Sequence, residues 1–78
     1  MSVAEAFGDI AEVIAKIAPA KIVELRPSAS MQRRVNDLIQ KKKNAEISVD
    51  EAVELERYLS LYLFITLAKA RARLILNQ

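Results

Sequence analysis

Tyr58-Leu59-Ser60-Leu61-Tyr62-Leu63-Phe64-Ile65-Thr66-Leu67-Ala68 is apolar at nearly every position. On a helix such a run is hydrophobic on all sides, and a helix that is hydrophobic all round must be buried all round. The run lies inside Ser48 to Asn77, a stretch with no Gly and no Pro. That stretch reads as one helix of about thirty residues, roughly 45 Å long at about 1.5 Å per residue. A compact globule of 78 residues has a radius of gyration of roughly 11–12 Å, hence a diameter near ~30 Å. One helix is thus longer than the body it belongs to. The rest of the chain is too short to cover it, and another chain is expected to do so.

Immediately upstream, Ser48-Val49-Asp50-Glu51 has the spacing of a capping box, with Ile47 placed as a hydrophobic staple. Acidic residues crowd the start of the long helix (Asp50, Glu51, Glu54, Glu56) and basic ones its end (Lys69, Arg71, Arg73). That order complements the helix dipole at both ends. Ala45-Glu46-Ile47 is the turn before it. Further upstream, Pro27 stops the preceding segment, and Ser28-Ala29-Ser30 offers N-caps for another helix. Met31, Val35, Leu38 and Ile39 give that helix a narrow apolar stripe. It closes on Gln40-Lys41-Lys42-Lys43-Asn44, where the cations suit the negative end of the dipole and Asn44 is the expected C-terminal stop.

At the N-terminus Ser2 and Glu5 form a first capping box. Val3, Phe7, Ile10, Ile14 and Ile17 follow at three- and four-residue steps, one apolar stripe expected to face the core. Gly8 costs about 1 kcal/mol in a helix interior without breaking the pattern. Pro19 ends the helix at Ala18. Ala20 to Arg26 is read as an ordered connector, either extended or a turn of helix, pinned to the core by Ile22, Val23 and Leu25. The whole predicts an all-α fold in one domain, 1–78. Two short N-terminal helices, about 3–18 and 29–44, pack on one long C-terminal helix, about 49–76, and dimerisation or a partner chain completes them.

Composition narrows the chemistry. The chain has no Cys, so it has neither disulfides nor thiolate metal sites, and no His, which removes most zinc sites and the usual general base. The carboxylates sit at helix starts and on polar faces, where capping and solvation account for them. Asp50, Glu51 and Glu54 could hold a hard cation, but their spacing suits dipole compensation better. No catalytic residue, metal or cofactor is expected, and the chain is read as a non-enzyme. With Gly8 the only glycine, there is no phosphate-binding loop. The apolar run is too short to span a bilayer, and the start lacks the basic, then apolar, pattern of a secretory signal. No membrane contact is expected, and the location expected is the cytoplasm, which the absence of Cys suits.

Two surfaces remain. With Leu55 at the centre of the inward face of the long helix, Leu59, Tyr62, Leu63 and Thr66 fall beside it at about 100° per residue. On the opposite side run Arg57, Ser60, Phe64, Leu67, Arg71 and Leu74. Apolar anchors ringed by polar groups, with Arg favoured, are what protein interfaces use. Arg57, Phe64, Leu67, Arg71 and Leu74 are therefore the expected partner-binding residues, with Phe64 and Leu67 at the centre. The partner is a second copy, a cognate protein, or both. Tyr58 and Tyr62 carry hydroxyls that need partners if buried. The alternative is a small nucleic-acid binder using Arg33, Arg34, Lys41, Lys42 and Lys43. On a helix those charges surround the axis instead of forming one footprint, no aromatics interleave with them, and a net charge of +2 is small for that task.

From Leu25 onward the residues Leu25-Arg26-Pro27-Ser28, Met31-Gln32-Arg33-Arg34-Val35-Asn36-Asp37-Leu38, Lys41-Lys42-Lys43, Glu54-Leu55-Glu56-Arg57-Tyr58-Leu59 and Ile65-Thr66-Leu67-Ala68-Lys69-Ala70-Arg71-Ala72 resemble a family of small bacterial helical proteins. Its members often look like the first product of a two-gene module whose second product is a small nuclease-like enzyme. The resemblance implies an antitoxin-like or accessory protein that docks on a partner. It carries over no functional residue.

Overall fold

The computed structural model describes residues 1–78, and all regular structure in it is helical. The elements are α1 (Val3–Ile17), α2 (Pro19–Ile22), α3 (Ala29–Lys43) and α4 (Val49–Leu76). The chain divides into two compact units. One joins Met1–Leu25 to Tyr62–Gln78, the other is Arg26–Leu61, and α4 contributes to both.

Local chemistry sets the helix ends. Ser2 Oγ accepts from the Glu5 N–H at 3.1 Å and Glu5 Oε1 accepts from the Ser2 N–H at 3.5 Å, closing the first capping box. Ser28 Oγ caps α3 by accepting from the Met31 N–H at 3.1 Å. Ser48 and Glu51 close the second box, both bonds at 3.1 Å. Pro19 stops α1 and, with its fixed φ and missing N–H, starts the single turn α2. The segment expected as a connector is thus helical through Ile22. Ile22 and Val23 are half-buried, whereas the Leu25 side chain is exposed. Leu25 holds its place through the backbone instead, where its carbonyl accepts from Lys69 Nζ at 3.0 Å.

Past α3 the left-handed residue is Ala45, at φ 57°. Asn44, the expected stop, is the C-cap one position earlier, at φ −89°. The Glu46 N–H reaches the Lys41 carbonyl at 2.8 Å and the Ala45 N–H the Lys42 carbonyl at 3.2 Å. These are the two bonds of a Schellman close.

In the unit Arg26–Leu61, Val35, Leu38 and Leu55 are buried, flanked by half-buried Met31, Ile39, Ile47 and Tyr58. The expected stripe of α3 and the expected centre of α4's inward face are both in place. Above this core the Arg34 guanidinium grips both oxygens of Glu54, at 2.8 Å each, and Lys41 Nζ meets Glu51 at 2.6 Å. Asp37 sits 3.2 Å from Arg34.

In the unit formed by Met1–Leu25 and Tyr62–Gln78, the fully buried residues are Ala11, Ala15, Ala68 and Ala72. Two expectations fail here. Of the α1 stripe, Phe7 and Ile14 are half-buried, but Val3, Ile10 and Ile17 are exposed, Val3 and Ile17 by more than two thirds (72 % and 77 %). Small side chains let helices approach closely, so the alanine face of α1 turns inward and the branched one outward. On α4, Leu63 and Thr66, assigned to the inward face, are exposed, while Ala68 and Ala72 are buried; in the other unit Leu59, assigned to the same face, is exposed as well.

Candidate docking surface

A groove runs beside α1 in the unit whose core is alanine. Its floor is Ala4, Gly8 and Leu67. Glu5, Asp9 and Glu12 stand along one rim and Arg71 on the other. A Cβ at Gly8 would meet nothing within 4 Å, so the space above it is open. Two of the rim carboxylates have local contacts only: Glu5 closes the cap with Ser2, and Glu12 lies 3.9 Å from Lys16. Asp9 and Arg71 have no ion-pair partner within the chain. Next to the groove α4 exposes Leu63, Ala70 and Leu74. Leu74 is 60 % exposed.

The residues expected to bind a partner are thereby sorted. Leu67 and Arg71 come together in this groove and Leu74 extends its apolar edge. Phe64 does not stand free as the centre of a surface. It is half-buried, and its ring meets Phe7 edge to face. Arg57 belongs to a second groove, on the N-terminal half of α4, with Asp50, Val53, Glu54, Tyr58 and Leu61. Tyr58 and Tyr62 are half-buried, and no buried side-chain polar atom lacks a partner, so their hydroxyls reach solvent. Gly8, Asp9, Leu63 and Ala70 were not among the residues expected to bind a partner. The signal that would have found Gly8 was present: a lone glycine in mid-helix usually has a packing or functional reason.

The basic set divides as well. Arg34 and Lys41 are held by Glu54, Glu51 and Asp37 within their own unit, leaving Arg33, Lys42 and Lys43 exposed. The hydrogen bond from Lys41, reinforced by the Ser48 backbone N–H, pulls the Glu51 carboxyl down to about 2. The hydrogen bond from Arg34 lowers Glu54 likewise, and the same pairs raise Arg34 and Lys41. Carboxylates so firmly tied to cations oppose the use of Arg34 and Lys41 on phosphate.

No cluster of side chains has the make-up of a metal site, and no helix is long and apolar enough to cross a membrane. No protein-family model, curated protein or solved structure matches the chain.

Proposed function

We propose that this chain is a non-enzymatic helical module that acts by docking on another protein, as one half of a self-associated pair or as the accessory subunit of a cognate enzyme. The observation that carries the reading is the inverted core of one unit. It buries four alanines completely and leaves Val3, Ile10, Val13, Ile17, Leu63 and Leu74 exposed. Full burial of a Val, Leu or Ile side chain is worth about 1.5–3 kcal/mol, so covering several of them supplies what this small core lacks. Domains of this size commonly make up such a deficit by oligomerising. The lack of His and Cys supports a role in binding over catalysis. The antitoxin-like form of the proposal rests on the short strings quoted above. The lack of Cys fits a reducing compartment, and the reading places the module in the cytoplasm.

The test is the state of the chain purified from its native host, by sedimentation velocity with identification of whatever comes with it. The expected result is a complex, with itself or with one protein in fixed stoichiometry. A helical monomer that remains alone at micromolar concentration contradicts the proposal.

A further inference from the structure

The groove beside α1 and the C-terminal half of α4 complement each other, and both belong to every copy of the chain. On α4, Leu63, Leu67, Ala70 and Leu74 follow a four-three-four spacing, which lines one helix face, and each is at least partly exposed. Every charge after Glu56 on that helix is positive. Arg71 and Arg73 have no carboxylate within ion-pair distance, and Asp9 on the groove rim has no cation. Phe7 lies beside Phe64, and the groove goes on from Gly8 to Glu12 alongside Leu67 and Arg71. α1 and this half of α4 therefore run in the same direction, with Asp9 at the level of Thr66.

We propose that the groove seats the C-terminal half of α4 from a second copy, antiparallel, about a two-fold axis passing between Leu67 and Ala70. This rests on the reading of the chain as a docking module and names its partner. In that register Leu63 opposes Leu74 of the second copy and Leu67 opposes Ala70, so a large side chain meets a small one beside the axis. Thr66 opposes Arg71 of the second copy, which brings that guanidinium to the level of Asp9. Two-fold symmetry makes each contact twice. Complementary charge then fixes the register and disfavours the parallel arrangement.

Gly8 points the same way. Glycine weakens the middle of a helix, yet no neighbour in the chain requires its missing side chain. A second helix seated over it does, because glycine is the residue that admits close backbone approach.

The experiment is sedimentation equilibrium of the full chain, with circular dichroism as the check on folding. It compares the wild type, Gly8→Leu, Asp9→Arg, Arg71→Glu, Leu74→Gln, and an equimolar mixture of Asp9→Arg with Arg71→Glu. The wild type is expected to form a two-chain species. Gly8→Leu fills the groove, and it and Leu74→Gln should keep their helical signal while weakening the pair. Each charge reversal alone should weaken it about tenfold. The mixture should recover the wild-type affinity as a one-to-one pair, because there each reversed residue faces its opposite charge. Wild-type association that ignores Gly8→Leu and the charge reversals overturns this interface and leaves the docking reading standing. So does a chain that binds a different protein and never itself. A lone folded monomer overturns both.

Discussion

Phe7 and Phe64 meet edge to face, with ring centroids 6.0 Å apart and planes at 79°. The pair joins α1 to α4 in the unit whose fully buried residues are all alanine. Such aromatic pairs contribute about 0.5–1.5 kcal/mol beyond the area they bury. A double-mutant cycle of Phe7→Leu and Phe64→Leu in urea unfolding should therefore give a coupling near ~1 kcal/mol. It also follows that Phe64→Asp unfolds this unit before it tests any interface. A coupling indistinguishable from zero would mean that the rings do not meet in solution.

At chain concentrations too low for pairing, Gly8→Ala should raise stability by about 1 kcal/mol, the ordinary difference between glycine and alanine in a helix interior. Nothing stands within 4 Å of the added methyl, so no clash offsets the gain. Urea midpoints measure it. A loss of stability under those conditions would show that the space above Gly8 is already filled by the chain itself.

Ala45 holds the left-handed position after α3, at φ 57°. A Cβ in that conformation costs roughly 1–2 kcal/mol, part of which glycine returns through the entropy of its unfolded chain. Ala45→Gly is expected to stabilise the chain by about 0.5–1 kcal/mol in the same urea assay. Ala45→Val should destabilise it, since a β-branched side chain tolerates this φ least.

The ion pairs of α3 with α4 predict an acid-labile fold. The Glu51 carboxyl is lowered to about 2 in the folded chain against 4.5 when unperturbed, and Glu54 is also lowered. A depressed carboxylate stabilises fully above its unfolded value and stops doing so as pH falls through its folded one. The urea midpoint should thus hold steady above pH 5 and drop between about pH 4.5 and 2. Glu51→Gln keeps a side chain that can close the cap with Ser48 but removes the titration. Its midpoint should fall less steeply over that window. An equal fall in both chains would assign the acid response to other groups.

Helix ends were legible in the sequence because they are local. Ser2, Ser28 and Ser48 each bond within three residues of themselves, and Pro19 acts on its own neighbours. The faces of the helices were legible only in part. Val35, Leu38 and Leu55 were found because large apolar residues there do face inward. On α1 the same rule chose Val3, Ile10 and Ile17, and the chain buries Ala11 and Ala15 instead. A hydrophobic pattern records every surface that a helix covers, whether with its own chain or with another, and does not say which. Leu63 was misassigned for the same reason. The groove depends on what lies opposite Gly8 and Asp9, and residue spacing along one helix carries no information about that.

Thermal unfolding followed by circular dichroism over about a hundredfold range of chain concentration tests most directly whether a second copy covers the groove and the Leu63, Leu67, Ala70 and Leu74 face of α4. Association with the folded state alone makes Tm depend on concentration. The wild-type Tm should climb as the chain is concentrated, and that of Gly8→Leu should climb much less. A wild-type Tm that stays constant across the range, with full helical signal at every concentration, would contradict the account.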